Sequence, residues 1–233
     1  DTPEQMAEDM LTGGDNLADP ELVKTLCENA LSGAEWLRDD VKVEWTDELM
    51  HFGGHSITRS LVPKGATGEE LITKLVAEAK DAGITLYYNV SGKEILMEDG
   101  KAIGVYGESK NGDTYTLKAN RGVILATGGY GANIAKVQET NDYWDDSFIA
   151  DNIGTTNRSS LQGDGITMAE EVGADTDGMG WTQMMPLGWV DNGNLAGGAG
   201  ENVIYINAAT GKRYVDESAE RDVLSKGAFE NGM

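Results

Sequence analysis

The 233-residue chain is 39% apolar and 25% charged, which excludes a disordered or fibrous polypeptide and leaves enough apolar mass for a buried core. Against 18 basic residues stand 40 acidic ones, and the net charge of −22 opposes binding to nucleic acid or anionic lipid. One cysteine and two histidines exclude an internal disulfide framework, a cysteine-built zinc site and a multi-histidine metal centre.

From the N-terminus, residues 3–14 read as a helix that stops at Gly13-Gly14. "DPELVKTL" opens a second, with Asp19 as N-cap and Pro20 in the first turn. It is expected to reach about Arg38, with Leu22, Leu26, Cys27, Ala30 and Leu31 along one face and Cys27 as a buried structural thiol. A polar, Gly-rich loop follows around "HFGGHSITR", and "GATGEELITKLVAEAKDAG" reads as a third helix ended by Gly83. Five strand-like runs come next: "ITLYYNV", "KEILMEDG", "AIGVYGES", "DTYTLKA" and "GVILATGG". Glu98-Asp99-Gly100 and Asn111-Gly112-Asp113 are hairpin turn signals between them. "GDGITMAEEVGA" gives a short helix opened by Gly163-Asp164-Gly165. Beyond about Gly178 the chain is Gly-rich and aperiodic, then offers the strand "VIYIN", the turn "ATGKR" and an end at "AFENGM" with no closing element. No run approaches the roughly 18 apolar residues of a membrane span, and no basic-plus-apolar leader opens the chain. The compartment stays open.

The fold class expected is α/β, with α+β character in these residues. "GVILATGGYG" stands out: Val123, Ile124 and Leu125 run into Ala126, Thr127, Gly128 and Gly129, shedding side chains where a strand should end. In α/β sheets ligands lie beyond the carboxyl ends of strands, and small residues let a ligand approach the main chain. Asp164 can be read either as a simple N-cap or as part of an anion-accepting helix start.

"GGHSITRSLVPKGATG", "GVILATGGYGAN", "GDGITMAEEVGA", "QMMP" and "GKRYVDESAERD" occur in an order that resembles the flavoprotein of the fumarate reductase and succinate dehydrogenase family. The likeness is greatest to the soluble flavocytochrome c fumarate reductases and the urocanate reductases, and it extends over nearly the whole chain. It implies part of a Rossmann-like FAD-binding domain with an inserted β-meander, plus the start of a substrate-capping domain. The expected boundaries are 1–178 for the later part of the FAD domain and 179–233 for the beginning of the cap. No G-x-G-x-x-G fingerprint followed by an acidic residue is present, so the chain reads as an internal fragment, inactive alone, of a longer enzyme.

By resemblance, Ala126, Thr127 and Gly128 lie along the FAD, Gly92 makes a main-chain contact and Asp164 a further one. His55 is expected to be a local hydrogen-bonding residue and Arg59 to order its loop. "GKRYVDESAERD" resembles the segment whose second arginine, here Arg221, protonates one carbon of an activated C=C bond while flavin N5 delivers hydride to the other. Arginine is a very weak acid, so the role requires a carboxylate relay. The family relay, a Glu and an Arg, has no clean match; of Asp191 and Glu201 in that interval, Asp191 is the candidate.

Met185-Pro186 replaces a His-Pro whose histidine binds a fumarate carboxylate in that family. Methionine offers a soft apolar surface instead. Met185 and Thr182 are the substrate-binding candidates, and a bulkier or less doubly charged 2-enoate, such as an aryl or imidazolyl acrylate, is expected in place of fumarate. The implied partners are a small unsaturated carboxylate and an electron-donor domain or protein, with haem or FMN elsewhere in the parent as the donor group. Two other readings stay open: a flavin dehydrogenase of the same superfamily acting on another substrate such as a ketosteroid, and a non-catalytic binding or structural module.

Overall fold

The computed structural model describes residues 1–188, 191 and 203–232. Two compact units divide the chain, Asp1–Leu86 with Gly198–Met233, and Tyr87–Gly197. The expected boundary at 178/179 falls inside the second unit, and that division stays a proposal.

The first unit begins with α1 (Pro3–Gly13) and α2 (Pro20–Asp39). Thr2 caps the Gln5 N–H and Asp19 those of Glu21 and Leu22, so both starts follow from side-chain oxygens that stand in for absent carbonyls. Val23 and Cys27 face inward from α2, and Cys27 Sγ lies 3.7 Å from Met10 Sδ of α1. Cys27 is thus a buried packing thiol. The expected apolar face is only partly realised, because Leu22, Leu26 and Leu31 are exposed.

β1 (Trp45–Met50) and β2 (Ser60–Pro63) form an antiparallel pair around the loop 51–59, with Met50 opposite Ser60. The sequence reading had only a loop here. α3 (Glu69–Asp81) follows and ends at Ala82-Gly83.

The second unit opens with the meander β3 (Val90–Glu98), β4 (Lys101–Ser109) and β5 (Thr114–Lys118), antiparallel in that order. Glu98 pairs with Lys101 across Asp99 and Gly100, both at positive φ (49° and 74°), the geometry that fits the twist of a tight hairpin. α4 (Ile134–Thr140), a single 3₁₀ turn at Asp146–Phe148 and α5 (Asp164–Glu171) complete the unit. Its core gathers Val137, Trp144, Ile149 and Met184, with Tyr130, Phe148 and Ile153 against them.

Two of the five expected strand runs are largely unpaired: "ITLYYNV" joins a sheet only at Val90, the first residue of β3, and "GVILATGG" lies outside every sheet among the described residues. Ile124 is 92% exposed. A strand exists only through a ladder with a neighbour, and none of the described strands pairs with residues 84–89 or 122–129. Back in the first unit, β6 (Ile206–Asn207) pairs with β7 (Lys212–Arg213), a reduced form of the expected strand and turn. α6 (Arg221–Glu230), absent from the sequence reading, buries Leu224, Ser225 and Ala228.

Candidate cofactor site

The segment 126–133 is stitched to 155–163 by its main chain. Ala132 N donates to Leu161 O (3.0 Å), Thr155 Oγ1 to Gly131 O (2.7 Å) and Gln162 Nε2 to Ala132 O (3.3 Å). Tyr130 ties the same segment to the core, its hydroxyl donating to Met179 O. Ala126, Thr127, Gly128 and Gly129 meanwhile remain exposed. Gly128 sits at φ +73°, where a side chain is strained, and a Cβ there would come within 2.9 Å of Leu161 Cδ2.

Helix α5 packs against two of the expected cofactor residues, Thr127 and Gly92. Its Gly165 has no room for a side chain: a Cβ would stand 2.8 Å from Thr127 Cβ, 2.9 Å from its Cγ2 and closer still to its Oγ1. Thr127 and the helix start therefore touch, although they are far apart in sequence. About one turn on, Met168 lies against Gly92 of β3, 3.5 Å from where a Cβ would be. Thr127 and Gly92 thus both pack on α5, the helix that Asp164 opens, while Gly128 adjoins Thr127 in the chain and lies against Leu161. The sequence left two readings for Asp164. Gly163 is the N-cap, in the left-handed region at φ 87°, and Asp164 is the exposed first residue of the helix. No side chain caps this helix start, and the first N–H groups of a helix have no partner within the helix itself.

These features fit a dinucleotide. Exposed small-residue main chain admits a flat group, while helix-start amide donors and the Asp164 carboxylate suit phosphoryl, carbonyl and hydroxyl groups.

The remaining expected residues are placed as follows. Thr182 and Met185 are half-buried in the second unit, and Thr182 O accepts from Trp144 Nε1 at 2.6 Å. Met184 and Pro186 on either side of Met185 are buried. Asp191 is an exposed turn residue, and Glu201 lies outside the described residues. Arg221 is exposed at the first position of α6 in the first unit. The His55 main-chain carbonyl lies 2.8 Å from His51 Nε2, and its buried Nδ1 has no hydrogen-bond partner. Arg59 orders its loop through ion pairs to Asp1 (2.9 Å) and Asp9 (2.7 Å).

Sequence reasoning missed Glu217. It is 8% exposed, accepts from Tyr205 N (2.8 Å) and binds Arg213 through Nε (2.9 Å) and Nη2 (2.5 Å). The Arg213 guanidinium, with the Tyr205 N–H, lowers its carboxyl to about 2. An Arg and a Glu four residues apart were the available signal, hidden because the intervening chain is not helical. A groove of about 610 Å³ between α1 and α2, lined in part by Leu11, Lys24 and Glu28, contains none of the residues selected from sequence. Among the described residues no group of three or more His, Cys, Asp or Glu is placed to hold a metal ion. None of their helices is long and apolar enough to cross a membrane.

Mixed helix and strand, with a bare main-chain segment held against a helix start, suit a domain that holds a nucleotide cofactor. The chain belongs to the FAD binding domain family, whose model matches residues 1–233. Among its relatives is a urocanate reductase of Eggerthella lenta, 36% identical over 237 residues, covering 97% of this chain and 37% of that protein. An NADH:acrylate oxidoreductase of Vibrio harveyi is 35% identical over 216 residues, covering 91% of this chain and 21% of the relative. The open conformation of a flavocytochrome c3 fumarate reductase superposes with a TM-score of 0.78 at 29% identity, over 97% of this chain and 39% of that one. The chain therefore spans about a fifth to two fifths of the length of these relatives.

Proposed function

We propose that this chain is the FAD-holding part of an oxidoreductase that reduces the C=C bond of a 2-enoate. The observation that carries the reading is the packing of Thr127 and Gly92 on the helix that Asp164 opens, in a chain of the FAD binding domain family. When bound, FAD supplies hydride chemistry.

Ala126, Thr127 and Gly128 present main chain to the cofactor, Gly165 keeps Thr127 seated, and the first N–H groups of α5 beside Asp164 meet polar atoms. Arg221 holds the proton destined for the alkene carbon next to the carboxylate, and its positive charge stabilises the negative charge that develops there. Asp191 returns a proton to Arg221 between turnovers. Thr182 and Met185 contact the substrate, and residues from 179 onward begin the portion that covers it. With methionine at 185, an aryl or imidazolyl acrylate is favoured over fumarate. Relatives of the chain are named for urocanate and acrylate as well as for fumarate.

The test uses the full-length, FAD-loaded protein and oxidation of reduced methyl viologen by urocanate, acrylate and fumarate in turn. Arg221→Lys and Arg221→Ala are expected to lower turnover by about 10²- to 10⁴-fold with the flavin spectrum unchanged. Retained turnover in Arg221→Lys removes the proposed acid.

A further inference from the structure

Arg221 is the first residue of α6, and the five residues before it are gripped from two sides within the first unit. On one side is the loop 51–59. Gly53 lies so close to the approaching chain that a Cβ would stand 2.5 Å from Ala219 O and 3.2 Å from Ser218 O. Gly54 likewise leaves only 3.2 Å between a Cβ and Glu220 Cγ. The loop is itself anchored: Ser56 N and Oγ both donate to Asp9 Oδ2 at 2.9 Å, and Arg59, its side chain 8% exposed, binds the same carboxylate. On the other side is Glu217, a buried carboxylate joining Arg213 to the Tyr205 main chain. Between the two grips, Asp216 Oδ1 accepts from Ser218 N (3.0 Å) and Oγ (2.8 Å), closing the turn.

A buried carboxylate and a glycine pressed on main chain are both costly features for a simple surface turn. They make sense if the position of the next residue matters. We propose that Gly53 and Glu217 are positioning residues for Arg221: they fix the main chain of 216–220, and with it the point from which the guanidinium reaches the reacting alkene. The inference rests on the assignment of Arg221 as the proton donor and adds the residues that place it. Neither touches the substrate.

A displacement of a proton donor by about an ångström costs up to about 100-fold in rate. In the full-length, FAD-loaded enzyme, with urocanate and reduced methyl viologen, Glu217→Gln and Gly53→Ala are each measured per bound flavin. The expected result is a kcat about 10- to 100-fold lower, with KM and the flavin spectrum close to wild type. The solvent deuterium isotope effect on kcat should rise as proton transfer becomes slower. Glutamine keeps an acceptor for Tyr205 N and loses the negative charge that faces Arg213, whereas Gly53→Ala perturbs the opposite side, so either variant that folds decides the matter. A kcat per flavin within about twofold of wild type in the folded variant, or a lower kcat with an unchanged isotope effect, overturns the proposal. An Arg221→Lys enzyme that still turns over removes the donor itself, which is a failure of the earlier reading and is scored on a different variant.

Discussion

Replacing Gly165 by alanine puts a methyl group where Thr127 already stands. The new carbon would be 2.8 Å from Thr127 Cβ and 2.9 Å from Cγ2, against an ordinary carbon–carbon contact of about 3.5–4.0 Å. Rotating the threonine side chain moves Oγ1 and Cγ2 but leaves Cβ in place, so the main chain at 127 or the start of α5 must yield by several tenths of an ångström. Overpacking of this kind costs about 1–3 kcal/mol. If that strain is relieved by parting 126–128 from α5, the cofactor contacts disperse, and FAD affinity falls by about 5- to 150-fold. The assay is flavin titration of the full-length apoprotein by fluorescence quenching, with Gly154→Ala as control because a Cβ there meets nothing within 4 Å. Adding Thr127→Ala should recover part of the loss, since it removes Oγ1 and Cγ2 and leaves the Cβ contact. A Gly165→Ala protein that holds FAD as tightly as wild type refutes the claim that this contact builds the site.

Two further expectations concern stability. Asp9 and Glu217 are both lowered to about 2, from ordinary values of 3.8 and 4.5, Asp9 chiefly by the Ser56 N–H and Glu217 chiefly by Arg213. Groups with lowered folded-state values stabilise above their unfolded values, so their contribution is complete above about pH 5 and lost as the pH falls towards 2. Urea titrations across that range should show falling stability, with a shallower slope in Glu217→Gln. Trp144→Phe deletes the bond from Nε1 to Thr182 O and leaves a carbonyl short of a donor, at a cost of about 1–3 kcal/mol seen as a lower urea midpoint with unchanged slope.

The legible parts of the sequence were those where local chemistry decides the outcome. Asp19-Pro20 starts α2, Gly83 follows the end of α3, and Asp99-Gly100 turns β3 into β4, each through neighbours in sequence. The stretch Val123–Leu125 has strand composition and forms no strand, because pairing depends on a partner that no local pattern specifies. β1 and β2 escaped notice because their nine-residue loop is longer than a tight turn and a bulge interrupts their register. The cofactor candidates were chosen as small residues and a family likeness. What joins Thr127 and Gly92 is α5, through Gly165 and Met168, a tertiary contact that no local pattern specifies. Glu217 was missed for the opposite reason: a glutamate among six residues with Asp216 and Glu220 looks like an exposed acidic run, and only tertiary contacts with Arg213 and Tyr205 reveal it as buried.

The most direct test is amide hydrogen exchange in the full-length protein with and without FAD. Slower exchange on FAD addition at residues 126–129 and at the first turn of α5 is the predicted result. Unchanged exchange in both segments, with protection confined to other parts of the chain, would contradict the account.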